Sequence, residues 1–212
     1  MIKKMTGLLL AAAIAASLAM PIYATSHVAE PVPSSAAMTV SRQNPFADVS
    51  MDADYADAVL LCYERGLMLG TALDTFAPNG EVTRAQVVTV LYRLQGSPLV
   101  TGAHFSDLRI GSGYWAAARW AVDLDITYQF DNGAFAPDNV ITRKQLAQII
   151  CRYMYTINGD KLGDYRGNVC WAEATGVLLP DASGDIRMDA VATRAELAQA
   201  VYACCRMLSK VA

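Results

Sequence analysis

Three short stretches of the chain share one motif: Thr-Arg-Ala-Gln at 83–86, Thr-Arg-Lys-Gln at 142–145 and Thr-Arg-Ala-Glu at 193–196. The second copy begins 59 residues after the first, and the third begins 51 residues after the second. Apolar residues at helical spacing follow each copy. Thr followed three positions later by Gln or Glu, ahead of such an apolar run, is typical of a capping box. Each copy is therefore predicted to begin an α-helix.

Further features recur at the same offsets. Phe-Ala-Asp at 46–48 recurs as Phe-Ser-Asp at 105–107, and Phe-Ala-Pro at 76–78 recurs at 135–137. A series of aromatic residues keeps the spacing through all three copies: Tyr55, Tyr114 and Tyr165. Repeats of this length indicate supersecondary units that bury their apolar faces against one another.

Each unit is predicted to be a helix, a loop and a second helix. In the first unit, apolar residues at helical spacing run from Tyr55 towards Leu67, and a turn-rich loop spans 70–80. The second helix is predicted from about Arg84 to Leu94. The predicted class is all-α, and the unit boundaries are 44–100, 101–157 and 158–212.

The N-terminus has the pattern of a secretory signal peptide. Two lysines precede an apolar run from Leu8 to Met20, and small residues follow up to Ala24. The run is shorter than the roughly 20 residues that span a bilayer as a helix, although an uncleaved anchor is the alternative. We predict a signal peptide at 1–24, a flexible linker at 25–43, and no stable membrane insertion after cleavage.

The charge and the cysteines exclude two classes of protein. Without the signal peptide the chain has 15 basic and 20 acidic residues, so its net negative charge argues against nucleic-acid binding. The five cysteines are odd in number and show no CxxC spacing, so no disulfide framework is indicated. Most fall on apolar helical faces, where cysteine behaves as a small buried hydrophobe.

The arginine of the motif is not needed for the cap. Arg84, Arg143 and Arg194 each occupy the first helical position, where a cation faces the positive end of the helix dipole, at a cost of roughly 0.3–1 kcal/mol when exposed. One interpretation is an anion site formed by the arginine and free helix N–H groups. The other is an ion pair with an acid of a neighbouring unit, such as Asp48 or Asp107.

These motifs together resemble the S-layer homology (SLH) domain family. The resemblance rests on the Thr-Arg motif at the helix start, Phe-x-Asp at the start of a unit, an aromatic residue in the first helix, and Gly-Leu-Met-Leu-Gly at 66–70 followed by Phe-x-Pro. It covers residues 44–212. The third unit departs from the pattern, because Asn158 falls where Asp48 would align and Ile186-x-Met188 replaces Phe-x-Pro. Asp160 and Asp164 are the alternative candidates for the missing acid.

The resemblance implies three helix–loop–helix repeats in a pseudo-threefold arrangement around a central helical bundle. It also implies binding of a secondary cell-wall polysaccharide, an acidic and pyruvylated glycan, in grooves between the repeats. The implied ligand-binding residues are Arg84, Arg143 and Arg194 for the acidic group, Asp48 and Asp107 for sugar hydroxyls, and Tyr55 and Trp115 as aromatic candidates.

No catalytic constellation is apparent. The histidines are His27 and His104, and neither an HExxH motif nor a Cys/His cluster is present. We therefore predict no enzyme activity, cofactor or metal, and a protein secreted to the bacterial cell surface or cell wall. The partners would be the cell-wall polysaccharide and S-layer or envelope proteins. The alternatives are a structural or protein-interaction module of the envelope, or the anchor fragment of a larger surface enzyme.

Overall fold

The computed structural model describes residues 43–102, 104–158, 168–181 and 183–209. The predicted signal peptide, nearly all of the predicted linker, and Tyr165 lie outside these residues. Six helices are described, two for each predicted unit: α1 Ala56–Glu64, α2 Arg84–Leu94, α3 Trp115–Asp123, α4 Arg143–Asn158, α5 Asn168–Ala174 and α6 Arg194–Ser209. No named β-strand occurs in this part of the chain, where isolated bridges alone are found. The all-α class is confirmed.

Capping boxes begin the three long helices, as the motif predicts. Thr83 accepts a hydrogen bond from the Gln86 backbone N–H, and the Gln86 side chain accepts one from the Thr83 N–H. Thr142 with Gln145 repeats this reciprocal pair, and so does Thr193 with Glu196. Each box pairs two backbone N–H groups that the first turn of a helix leaves without an intrahelical partner.

The residues before the three caps join the units in a closed ring. The N–H of Val82 donates to the carbonyl of Ala192 (3.1 Å), and the N–H of Ala192 donates to the carbonyl of Ile141 (2.9 Å). The N–H of Ile141 donates back to the carbonyl of Val82 (3.0 Å). All three side chains are buried. The ring gives the molecule its pseudo-threefold axis, which passes between the N-termini of α2, α4 and α6.

The first helix of each unit packs against the second helix of another unit. α3 packs on α2, α5 packs on α4, and α1 at the start of the fold packs on α6 at its end. One continuous hydrophobic core results, with Val59, Leu91, Ile150 and Val201 among its fully buried side chains. The predicted pseudo-threefold arrangement of helix–loop–helix units is therefore observed, and it is closed between its first and last helices.

One helix boundary differs from the sequence prediction. α1 ends at Glu64 and not near Leu67, because Gly66 adopts φ 65° and turns the chain out of the helix. Asp125 takes the same role after α3 with φ 55°, a conformation that aspartate tolerates better than most residues. Asn158 is the last residue of α4 and does not lie in a unit-opening loop, so it cannot act as the counterpart of Asp48.

All five cysteines are free thiols. Cys62, Cys151 and Cys204 are buried, in agreement with the predicted structural role, whereas Cys205 is half-buried and Cys170 is exposed. Burial raises the pKa of the Cys62 thiol to about 12 and also raises the pKa of Cys204.

Candidate functional site

The motif arginines reach across the seams between units. Arg84 donates from Nε to the carbonyl of Phe135 (3.0 Å) and from Nη2 to that of Tyr128 (2.9 Å). Arg194 makes the equivalent bonds to Phe76 (2.8 Å) and Leu69 (2.7 Å). Each guanidinium therefore joins the helix start of one unit to the loop of another.

Arg143 varies this arrangement. Its Nη2 donates to the carbonyl of Leu179 (2.5 Å), and its Nη1 pairs with the Glu196 carboxylate (2.6 Å). Its Nε is buried without a hydrogen-bond partner among the described residues. The same Glu196 side chain also caps α6 through its other oxygen, so a single carboxylate both begins the helix and neutralises the arginine.

The helix N–H groups beside these arginines are not free, which corrects one premise of the predicted anion site. The N–H of Arg84 donates to the carbonyl of Asn139 (2.9 Å) and that of Ala85 to Pro137 (3.0 Å). The other two helix starts are bonded in the same way, at Arg143, Lys144, Arg194 and Ala195. The loop of a neighbouring unit therefore occupies the position that an anion would need at each helix end.

The predicted acid partners of the arginines have a different role. Asp48 accepts hydrogen bonds from the backbone N–H groups of Phe76 (2.8 Å) and Ala77 (2.7 Å). Asp107 does the same for the equivalent residues of the second unit, at 2.8 and 2.6 Å. Ala77 has φ 58°, a left-handed conformation that is unfavourable for a residue with a Cβ. The carboxylate therefore holds a strained turn.

In the third unit, an acid within the same loop stabilises the equivalent turn. Arg187 occupies the equivalent turn position with φ 46°, and its N–H donates to the Asp185 carboxylate (2.8 Å). The exposed Asp185 therefore holds this turn from within the same loop. Spacing within the sequence could have suggested this role, because Asp185 stands two residues before the turn position. Asp160 and Asp164, the candidates for the unit-opening acid, lie outside the described residues.

Burial and aromatic rings fix the guanidinium groups. Arg84 is 6% exposed and Arg143 is 4% exposed, whereas Arg194 is half-buried. The Arg84 guanidinium lies over the rings of Tyr128 (4.7 Å) and Phe135 (4.9 Å). Burial lowers the pKa of Arg84 and of Arg194, and the nearby negative charges of Asp107 and Asp48 act in the opposite direction.

Each arginine closes one of three grooves, which lie at equivalent places around the pseudo-threefold axis. Groove A is formed by the turn 67–69 and α2, and Arg194 closes it; its cavity measures about 140 Å³. Groove B is formed by the turn 126–128 and α4, and Arg84 closes it; its cavity measures about 60 Å³.

Groove C is formed by the turn after α5 and by α6, with Arg143 at its closed end. It comprises two adjoining cavities of about 460 and 200 Å³, which share Asp54, Leu179 and Gln199. Ala203 lines the larger cavity. Arginines at 93 and 152 line the other two grooves at the corresponding place on the second helix, so the small side chain leaves groove C wider.

The aromatic candidates are placed differently from one another. Tyr55 and Trp115 are half-buried and pack against the hydrophobic core. The Trp115 Nε1 is buried and has no hydrogen-bond partner among the described residues. Tyr114, next in sequence to Trp115, lines groove A and is 41% exposed. An exposed ring at the edge of a groove suits a sugar face better than a ring packed in the core.

Arg93 and Arg152 are groove residues that sequence reasoning missed. Their signal was present, because they stand 59 residues apart, the offset that relates every other feature of the first two units. The third unit has Ala203 at the corresponding position. The sequence shows this difference between the units, but only the structure shows that these positions line the grooves.

Neither a metal centre nor a membrane span is found in the part of the chain that the structure describes. No group of three or more His, Cys, Asp or Glu side chains is arranged there to hold a metal ion. No helix among residues 43–209 that are described is long and apolar enough to cross a bilayer.

The family model described as the S-layer homology domain matches residues 45–88 and 104–147. Each match runs from the unit-opening Phe-x-Asp region into the helix that the Thr-Arg motif begins. The match does not extend to 158–212, so the assignment of the third unit to this family stays a prediction.

Three curated relatives are similar to parts of the chain. An endoglucanase of Bacillus sp. (strain KSM-635) is 33% identical over 54% of this chain and 12% of its own length. A cell surface protein of Thermoanaerobacter kivui is 26% identical over 56% of this chain and 16% of its own. Cell surface glycoprotein 1 of Acetivibrio thermocellus is 26% identical over 46% of this chain.

The chain spans only a small part of each of these relatives, between 4% and 16% of their length. S-layer homology domains are non-catalytic modules that mediate cell-wall anchoring. The chain therefore contains two segments of the S-layer homology type, at residues 45–88 and 104–147, which indicates a location at the cell surface or in the cell wall.

Proposed function

We propose that this protein is a non-catalytic anchor that binds an acidic, pyruvylated secondary cell-wall polysaccharide in the grooves between its three units. The observation that carries the proposal is the recurrence of one arginine, at the first position of a helix, at the closed end of each groove. Arg84, Arg143 and Arg194 are the proposed contacts to the acidic group.

The arginines have hydrogen-bonding capacity to spare. A guanidinium has five N–H donors, and the two hydrogen bonds of Arg84 to carbonyls use two of them. The bonds fix the orientation of the group before any ligand arrives, which reduces the entropy lost on binding. A carboxylate pairs well with such a planar, pre-oriented cation.

The unit-opening acids fit a supporting role. Asp48 and Asp107 are exposed, and each of their oxygens accepts one backbone N–H group. A carboxylate oxygen has a second acceptor site, so these groups can also accept from sugar hydroxyls. We further propose that the signal peptide at 1–24 directs export, and that S-layer or envelope proteins are additional partners.

Co-sedimentation with cell-wall sacculi of the source bacterium tests the proposal. Residues 25–212 are mixed with native sacculi, with sacculi stripped of polysaccharide, and with sacculi whose polysaccharide has lost its acidic substituents by mild acid treatment. We expect binding to the native sacculi alone. Equal binding to stripped sacculi would contradict the proposal and indicate that the partner is a protein or peptidoglycan. Binding that survives mild acid treatment would show that the acidic substituent is not recognised.

A second candidate function is that of an anchor segment within a larger surface enzyme. The observation that favours it is the endoglucanase, of which a segment amounting to 12% is similar to this chain. Detection of the protein in envelope extracts by mass spectrometry separates the two. A mass of 22.8 kDa, or that mass less the signal peptide, supports a separate anchor protein. A much larger mass supports an anchor segment within a larger enzyme.

A further inference from the structure

The three grooves do not all carry the same charge, although they are equivalent in the fold. Two arginines and no acid line groove A, and the same holds for groove B. Groove C is lined by three arginines but also by four acids: Asp54, Asp57, Asp181 and Glu196. Groove C has the largest cavity volume of the three. Because acids outnumber arginines in its lining, it is the least suited to an anion.

The charges of grooves A and B are alike. Each is lined by two arginines. The unit-opening acid near each motif arginine, Asp48 or Asp107, accepts two backbone N–H groups in the same way. The two grooves therefore differ in geometry and not in charge.

The two arginines of groove A converge on one short turn. Arg93 donates from Nη1 to the carbonyl of Leu67 (3.0 Å), and Arg194 donates from Nη2 to the carbonyl of Leu69 (2.7 Å). The two guanidinium groups are thus tethered two residues apart on the same backbone. A carboxylate between them would meet donors from both, and two fixed cations bind an anion more selectively than one flexible cation.

Groove A also has the exposed ring and the room that a sugar needs. Tyr114 lines it and is 41% exposed, and the cavity of about 140 Å³ is larger than that of groove B, at about 60 Å³. Two uncharged polar side chains, Gln86 and Thr89, also line the groove. They can hydrogen-bond hydroxyl groups without repelling an acid.

We infer that groove A is the principal binding site for the acidic substituent of the glycan, and that Arg93, paired with Arg194, determines the preference for an acid. The inference rests on the proposed function, which it narrows to one groove and one additional residue. Groove C contributes least to recognising the acid, because Glu196 already pairs with Arg143 and makes it the weakest of the three proposed contacts.

Four proteins test the assignment by co-sedimentation: wild-type 25–212, Arg93→Gln, Arg206→Gln and Arg109→Gln. Glutamine preserves a donor for the Leu67 carbonyl. Arg206→Gln removes one charge from groove C, and Arg109→Gln removes one from an exposed loop that lines none of the three grooves. Circular dichroism and a melting curve establish that each variant folds.

We expect Arg93→Gln to bind native sacculi about ten- to a hundredfold more weakly than wild type, the range for losing a hydrogen bond to a charged group. Arg206→Gln and Arg109→Gln should bind within about threefold of wild type, a range for surface charges outside the site. Loss of binding with Tyr114→Ala would add support from a residue without charge.

The outcomes distinguish the inference from the function on which it rests. If wild type binds native sacculi and not stripped sacculi, but Arg93→Gln binds as wild type does, the groove assignment is overturned and the anchor function stands. A larger loss with Arg206→Gln than with Arg93→Gln would place the site in groove C and overturn the assignment too. If wild type binds no sacculi, both the function and the assignment are wrong.

Discussion

Replacement of Arg84 with alanine should destabilise the whole fold, because this side chain joins two units from a buried position. It donates to the carbonyls of Phe135 and Tyr128, and hydrogen bonds from charged groups contribute about 1.5–3 kcal/mol each. The rings around the guanidinium add to this, whereas its desolvation offsets part of it. We expect Arg84→Ala to lower the free energy of unfolding by about 3 kcal/mol.

Urea denaturation followed by circular dichroism at 222 nm measures this loss. Arg109→Ala is the matched control, since Arg109 is exposed and its loss should change stability by less than about 0.5 kcal/mol. If Arg84→Ala also stays within about 0.5 kcal/mol of wild type, the bonds across the seam do not hold the units together. The expected result also explains why alanine at this position is a poor probe of binding, and why the binding tests use glutamine at other arginines.

Three further perturbations probe the turns and the core. Asp107→Asn should lower the unfolding free energy by about 1–2 kcal/mol, since an amide has one acceptor for the two N–H groups that the carboxylate holds; urea titration measures it, and an unchanged midpoint would contradict it. Ala136→Gly should raise the melting temperature slightly. The φ of 56° costs an L-residue roughly 1–2 kcal/mol in the folded protein, and the greater conformational entropy that glycine gives the unfolded chain offsets only about 0.5–1 kcal/mol of this. A lower melting temperature would show that the turn is unstrained. The free energy of unfolding should fall above about pH 8.5, by up to about 1.4 kcal/mol per pH unit for each buried thiol. Burial raises the pKa of Cys62 to about 12, so the unfolded chain loses that proton at lower pH than the folded protein does. Urea titrations at pH 7.5–10.5 should show a weaker dependence of this free energy on pH in Cys62→Ala, and an equal dependence would exclude this thiol as the cause.

The helix starts could be predicted from the sequence because a capping box is a local structure. Thr83 and Gln86 stand three residues apart, and their reciprocal bonds form whenever that segment becomes helical. The end of α1 was predicted less well. The relevant signal was Gly66, whose left-handed conformation ends the helix before the apolar pattern does.

The role of the motif arginine could not be predicted, because its partners are distant in sequence. The interpretation with free helix N–H groups was wrong, because neighbouring loops occupy those groups. The ion pair with an acid of a neighbouring unit is present at Arg143, but its partner is Glu196, whereas Asp48 and Asp107 hold backbone N–H groups. Arg84 bonds to carbonyls 44 and 51 residues away, and Arg194 to carbonyls 118 and 125 residues away. The ligand-binding role of the seven predicted site residues stays a prediction that the sacculi experiments test.

The sequence by itself determined the repeat, the all-α class, the position of each long helix and the family that two of the units resemble. These depend on patterns within a unit, where spacing along the chain and spacing in space are nearly the same. Only the tertiary structure decided that the three grooves differ in width and charge. That difference arises where side chains from separate units line one groove, as Arg93 and Arg194 do, or form an ion pair, as Arg143 and Glu196 do. No pattern within one repeat specifies which residues of another repeat will face it.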